Sequence, residues 1–307
     1  MSSDYDVIII GGGPAGLSAG LYTSRAGLKT LLIEKGIMGG QITSAEMVEN
    51  YPGFPDGISG FDLSDNMYRQ ASRFGIGIVS CEVTGVDLGE RNKVIKTGEG
   101  DYTARAVIIA GGAELQRLGV PGEEYLTGKG VSYCATCDGA FFRDKAMAVI
   151  GGGDSAVEEA ILLTRFASKV IIIHRRDQLR ASKIAQQRAF ANEKIEFVWD
   201  TVVEGIIGDE RVTGLNVRNV KTNEISTIEV SAAFIYVGQK PNTGYLNGTV
   251  PLDEEGRVIT NERMETEVSG VFAAGDIRHH SARQVITAAG DGATAALSAE
   301  RYLIQQG

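Results

Sequence analysis

Two glycine-rich turns, each set between a β-branched run and a helix-forming stretch, constrain this chain more than any other feature. The first lies in "DVIIIGGGPAGLSAGLYTSRAGLKTLLIEK" and the second in "MAVIGGGDSAVEEAILLTRFASKVIIIHRRDQLR". Val7 to Ile10 is a short β-branched run suited to a buried parallel strand. Gly11, Gly13 and Gly16 then form G-x-G-x-x-G, followed by a helix expected from Pro14 to about Ala26 and a strand from Thr30 to Ile33 that ends in Glu34. Glycine permits a tight turn and lets bare backbone approach a pyrophosphate, whose charge sits on the helix N-terminus. A carboxylate at the end of the next strand is placed to accept hydrogen bonds from a ribose.

The second stretch repeats the layout with Gly151, Gly153 and Ala156 in the glycine positions. Glu34 stands 23 positions after Gly11 (34 − 11), and His174 the same 23 after Gly151 (174 − 151). The acid is replaced by a basic cluster, His174, Arg175, Arg176 and Arg180. A carboxylate there favours a free 2′-hydroxyl and repels a 2′-phosphate, whereas arginine pairs with the phosphate through two hydrogen bonds. The second unit is therefore expected to bind NADPH, which leaves FAD for the first. A solvated basic face is the plain alternative for the cluster.

The rest of the chain returns to both units. Short alternating strands from Gly85 to Ala110 end in "AVIIAGG", and "AAFIYVGQKPN" closes the second unit in a similar way. A strand from Val271, an exposed Gly275-Asp276 and a long helix from about Arg283 to Leu303 follow, with Asp276 suited to a ribitol chain and a flavin edge, or else part of a plain strand-turn-helix. This order predicts an α/β protein of two Rossmann-like, three-layer ββα domains, one inserted in the other. Residues 1–115 and 244–307 would form the FAD domain and residues 116–243 the NADPH domain, joined by two crossings near "LQRLGVPGEE" and "QKPNTG".

Composition narrows the chemistry. The acidic N-terminus and a first apolar run of only Val7 to Ile10 do not make a signal peptide, and no apolar stretch reaches the roughly 18 residues that span a bilayer. A cytoplasmic protein is expected. The net charge of −9 disfavours nucleic acid or an anionic membrane as partner. Of the three cysteines, Cys134 and Cys137 form a C-x-x-C in "VSYCATCDGAFF". In a reducing cytosol a disulfide is catalytic or redox-sensing more often than architectural. Zinc needs four ligands as a rule, and Cys81, His174, His279 and His280 supply no second closely spaced pair, so no metal site is expected. Cys81, in "IGIVSCEV", reads as a small buried residue. What remains is a redox dithiol, with Asp138 beside it either as a proton donor and acceptor or as the cap of the following turn.

At this point the sequence resembles the low-molecular-weight, bacterial-type thioredoxin reductases of the class II pyridine nucleotide-disulfide oxidoreductases, over essentially its full length. The resemblance rests on "GGGPAG", "GGQI" with "VENYPG", "CATCDG", "GGGDSAVEEA", "HRRDQLRA" and "FAAGD" followed by "RQV", in that order. It implies a homodimeric flavoenzyme whose electrons pass from NADPH to FAD, to the Cys134–Cys137 disulfide and on to thioredoxin. Position by position, Gly11, Gly13, Gly16, Glu34, Gln41, Asn50, Asp276, Arg283, Gln284 and Val285 match FAD contacts of the family, and Pro14, Ala15, Lys35, Gly40 and Gly275 adjoin them. Gly153, Ser155, His174, Arg175, Arg176 and Arg180 match its NADPH contacts, with Gly151 and Asp154 beside them. Ile37-Met38 lengthens the segment before Gly39-Gly40 relative to some members. Reduction of another protein disulfide, in a glutaredoxin-like or peroxidase-linked partner, and a non-catalytic redox sensor are the alternatives. Because both NADPH and the dithiol must reach one flavin, a hinge is expected near 113–121 and 240–247.

Overall fold

A computed structural model describes residues 4–45, 47–89 and 92–306. The chain divides into two compact units, Met1–Glu114 with Lys240–Gly307, and Leu115–Gln239. The second crossing thus falls at 239/240, four residues before the 243/244 boundary expected from sequence. Asn242 explains the difference: its backbone N–H donates to Gly112 O at 3.0 Å and its Nδ2 to Gly111 O at 2.9 Å, which ties this stretch to the first unit.

In the first unit, β1 (Tyr5–Ile10), α1 (Pro14–Arg25) and β2 (Thr30–Glu34) form the expected βαβ element, with Val7 paired to Thr30 and Ile10 to Ile33 in parallel. A second helix, α2 (Gly60–Ser72), is capped by Ser59, whose hydroxyl accepts the Asp62 N–H at 3.0 Å. It leads to β3 (Gly77–Ser80) at the sheet edge beside β2. Next come β4 (Val83–Leu88), β5 (Lys93–Thr97) and the long β6 (Gly100–Ile109). The first half of β6 pairs antiparallel with β5, and its second half, from Ala104 to Ile109, pairs parallel with β1. One strand thereby joins a meander to the parallel layer.

The second unit opens at the end of β7 (Ala113–Leu115) and continues with β8 (Val131–Ser132) and the four-residue helix α3 (Ala135–Asp138). Its βαβ element is β9 (Ala146–Gly151), α4 (Asp154–Leu163) and β10 (Lys169–Ile173). Then come α5 (Lys183–Phe190) and β11 (Ile195–Val198). An antiparallel meander of β12 (Thr201–Gly208), β13 (Val212–Asn219) and β14 (Ile225–Glu229) precedes β15 (Ala232–Tyr236). The parallel sheet runs β11-β10-β9-β15-β8. Met147, Val149, Val170 and Ile172 pack on α4 and α5, while Ile150, Ile171 and Ile173 pack against Val203, Val212 and Leu215 of the meander. Period-two alternation in a strand buried on both sides produces this division.

The chain returns through β16 (Gln239–Pro241), which forms a two-stranded sheet with β7. It ends with β17 (Val271–Ala273), parallel to β6, and α6 (Val285–Gln305). Helices α1 and α6 cover one face of the first sheet through Leu17, Ala19, Ala295, Ala296 and Leu303, and the β4–β5 meander side packs on the other through Ile8, Ile33 and Ile95. Burial of Leu17 alone contributes about 2 kcal/mol. The α1–α6 contact depends on small residues. A Cβ added at Gly292 would stand 2.0 Å from the carbonyl oxygen of Ala15, so Gly292→Ala would force the helices apart. Each unit therefore has three layers, meander, parallel sheet and helices. Among the described residues no helix is long and apolar enough to cross a membrane.

Candidate active site

The first glycine turn joins β1 to α1. Gly11 has φ +109°, and a Cβ there would strike Ala110 O at 2.3 Å; a Cβ on Gly16 would stand 1.8 Å from Gly11 O. These two glycines are required by the protein's own packing. Gly13 differs, because a Cβ there would meet nothing within 4 Å. It is the N-cap of α1, makes no side-chain cap bond, and is followed by Pro14 at the first helical position. The helix thus presents amides and the positive end of its dipole at an open space, as an anionic pyrophosphate requires.

Other expected residues gather at this turn. Glu34 accepts the Gly12 N–H at 2.5 Å through Oε2 and the Gly36 N–H at 2.7 Å through Oε1. Gly39 N–H donates to Gly12 O at 2.8 Å, and a Cβ on Gly40 would lie 3.4 Å from Gly13 Cα. Gln41 Nε2 donates to Ala113 O. Gly275, at φ +78°, approaches Ala15 so closely that an added Cβ would be 2.9 Å from the alanine methyl. Gly275 is buried and Asp276 half-buried, not exposed as the sequence suggested, and burial pushes the Asp276 carboxyl above the usual carboxylate range against the pull of a Ser281 hydrogen bond and the Arg283 charge. Asn50 Nδ2 donates to Gln284 Oε1 at 3.1 Å, just before α6 begins at Val285. Lys35 is instead paired on the surface with Glu114 at 3.5 Å. The donors and acceptors fit a dinucleotide.

The turn in the second unit has the same design. Gly151 has φ +151°, and a Cβ on it would meet Tyr236 O at 2.5 Å, whereas a Cβ on Gly153 would meet nothing within 4 Å. Asp154 and Ser155 begin α4, with Asp154 Oδ1 accepting the Ser182 N–H at 2.7 Å. His174 lies over the turn, so close that a Cβ on Gly152 would be 2.4 Å from its Cε1. Among the described residues its buried Nε2 has no hydrogen-bond partner, an orphaned polar atom at the edge of the site. Burial, and then the charges of Arg180, Arg176 and Arg175, hold its pKa below the ordinary value. The ring is neutral at pH 7. The sequence placed His174 in a basic cluster; the positive charge is carried by the three arginines alone. All three are exposed, and among the described residues none is paired with a carboxylate, while Arg180 N–H donates to Gly152 O at 2.7 Å. A 2′-phosphorylated nucleotide fits this set.

Cys134 and Cys137 are disulfide-bonded. Cys134 is the N-cap of α3, and the Cys137 N–H points at its Sγ, 3.2 Å away. A helix N-terminus stabilises a thiolate, so this cysteine is placed for thiol–disulfide exchange. Burial raises the pKa of Asp138, opposed by a hydrogen bond with Ser132. Its side chain makes no capping bond to the following turn, Gly139–Phe142, so of the two sequence readings the capping one fails. Cys81 is free and only half-buried, not buried as expected, because it lies beyond the end of β3 at the margin of the core. Among the described residues no cluster of three or more His, Cys, Asp or Glu side chains could hold a metal.

Three residues around the disulfide escaped the sequence reading. Tyr133 donates its hydroxyl to Glu123 at 2.7 Å, and the same buried carboxylate accepts the N–H groups of Leu118 and Gly119. Tyr236 accepts the Ala135 N–H at 2.7 Å. The only signal was a phenol at the end of the otherwise apolar "AAFIY" strand and another beside Cys134.

Two dinucleotide turns and a redox disulfide on two Rossmann-like units define a pyridine-nucleotide disulfide reductase. Consistently, the family model described as pyridine nucleotide-disulphide oxidoreductase matches residues 5–292, and the chain belongs to that family. Among its relatives, the thioredoxin reductase of Bacillus subtilis is 52% identical over 97% of this chain and 95% of that protein. The thioredoxin reductase of Streptomyces coelicolor is 50% identical over 99% and 95%. The crystal structure of thioredoxin reductase from Streptococcus pyogenes superimposes with a TM-score of 0.94, at 48% identity and 98% coverage of both chains.

Proposed function

We propose that this chain is a thioredoxin-disulfide reductase, an NADPH-dependent flavoenzyme acting through Cys134 and Cys137. One observation carries the reading: a disulfide and a glycine turn flanked by three exposed guanidinium groups occur in the same unit. FAD, when bound, supplies the hydride acceptor for NADPH and a route for the electron pair to the disulfide. The first unit would hold it through the amides following Gly13, through Glu34, Gln41 and Asn50, and through Asp276 and the start of α6. The second would hold NADPH through Gly153, Ser155 and the guanidinium groups of Arg175, Arg176 and Arg180. Asp138, with its raised pKa, would keep a proton available beside the dithiol. Cys134 and Cys137 would then be oxidised to the disulfide as the partner's disulfide is reduced to two thiols.

The two crossings support a hinge within 113–121 and 240–247, which turns the second unit between its two half-reactions on roughly the microsecond-to-millisecond scale. A homodimer in the cytoplasm is the proposed working form. It is supported by the exposed Tyr22 of α1, Phe61 of α2 and Leu297 of α6, apolar surface in the first unit that a second copy would cover. Neither nucleic acid nor membrane belongs to this reading, in keeping with the net charge of −9. The test mixes purified protein, FAD, NADPH and thioredoxin and follows NADPH oxidation against thiol formation. Sustained cycling, abolished in Cys134→Ser and Cys137→Ser while NADPH still bleaches the flavin, is expected. A single state change without turnover would make the chain a sensor, and normal turnover by both variants would remove the dithiol from the reaction.

A further inference from the structure

The Ala135 N–H is the first amide of the helix that carries the disulfide, and Ala135 is fully buried. Its acceptor is the hydroxyl of Tyr236, 2.7 Å away and 101 residues later in the chain. Tyr236 ends β15, and its backbone lies against Gly151 in the nucleotide turn. The next amide contact in the helix is different, since the Cys137 N–H faces Cys134 Sγ. The amides are thus divided between two acceptors, a phenol oxygen and a sulfur.

We propose that Tyr236 is a positioning residue that holds the Cys134–Cys137 turn in its disulfide form and keeps the couple strongly reducing. This rests on the reading of the dithiol as the redox centre. In the oxidised turn the phenol satisfies a buried donor that would otherwise lie unpaired. Reduction opens the S–S bond, adds two electrons and two protons, and frees the turn to rearrange. Without the phenol the disulfide loses the stabilising bond, and the released Ala135 N–H can join the Cys137 N–H in stabilising a Cys134 thiolate. Both effects favour the dithiol. Tyr236 therefore makes the disulfide harder to reduce and, equally, makes the reduced pair a better donor to a partner.

The test is Tyr236→Phe in the FAD-loaded protein, equilibrated in glutathione buffers and trapped by alkylation. The balanced exchange is protein disulfide plus two glutathione thiols giving protein dithiol plus oxidised glutathione. The equilibrium constant toward dithiol is expected to rise about tenfold, about 30 mV for two electrons. The Cys134 thiol pKa, read from the pH dependence of alkylation, should fall. An unchanged equilibrium constant, with or without a lower melting temperature, would mark the bond as merely structural and overturn the proposal. Because glutathione replaces thioredoxin here, that outcome is separable from a failure of the wild-type protein to reduce thioredoxin.

Discussion

Replacing both Arg175 and Arg176 with alanine is expected to weaken NADPH about 100-fold and leave NADH nearly unchanged. A charge-assisted hydrogen bond contributes about 1.5 to 3 kcal/mol. Both guanidinium groups are exposed, so water competes and the low end applies, giving about 3 kcal/mol for the pair. At 1.4 kcal/mol per factor of ten this is roughly two orders of magnitude. His174 does not compensate, because burial and the neighbouring guanidinium charges keep its ring neutral at pH 7. The assay is the rate of flavin bleaching against nucleotide concentration, run with NADPH and NADH and repeated at rising salt. Wild-type preference for NADPH should shrink as salt screens the exposed charges. Equal losses for both nucleotides in the double variant would refute the phosphate assignment and return the cluster to a solvated face.

Gly13→Ala and Gly153→Ala should each leave the folded protein intact, since an added methyl meets nothing within 4 Å, yet weaken FAD and NADPH respectively by at least tenfold. Titration of the apoprotein with each nucleotide, beside a melting curve, checks this; full affinity in either would mean that the open space is not the pyrophosphate site. Gly16→Ala, by contrast, should fail to fold, because its methyl would overlap Gly11 O. Asp138→Asn should remove one limb of the pH–rate profile for thioredoxin reduction: a carboxyl whose pKa is raised keeps its proton to higher pH, and a step needing that proton declines as pH rises through the folded value. The same shift lowers stability as pH rises from the unfolded to the folded pKa, so the variant should also show a flatter dependence of melting temperature on pH across that window.

The parts of this architecture visible from sequence are those where local chemistry and fold coincide. Gly11, Gly13 and Gly16 announce a strand, a turn and a helix at once, and the same 23-residue spacing after Gly151 exposes the second copy. Val271 as a strand start and the long final helix were equally plain, the helix beginning at Val285 rather than Arg283 because Gln284 serves as its N-cap. The meander of β12 to β14 carried no clear signal. Its last strand, "ISTIE", is largely exposed, so it lacks the apolar alternation that marks a half-buried strand. Long-range polar contacts were invisible for another reason. Nothing in the chain near Ala135 reveals that its amide meets a phenol 101 residues later, since only the parallel pairing of β15 with β9 and β8 brings them together.

The placement of α6 against α1 has a consequence for synthesis on the ribosome. The inserted unit is a continuous stretch, Leu115–Gln239, and every strand of its sheet is available once that stretch has emerged. The unit that encloses it is not. Its β6 lacks its partner β17, and α1 lacks the Gly292 side of α6, until the last part of the chain is made. The distance from Glu114 to Ala295 is 181 residues (295 − 114), or about 10 to 40 s at ordinary rates of elongation. For that interval the nascent N-terminal segment carries an unfinished sheet edge and an uncovered Leu17, while the later-made inner unit can already fold. The outer unit is begun first and finished last, so its nascent chain is the one with need of a chaperone.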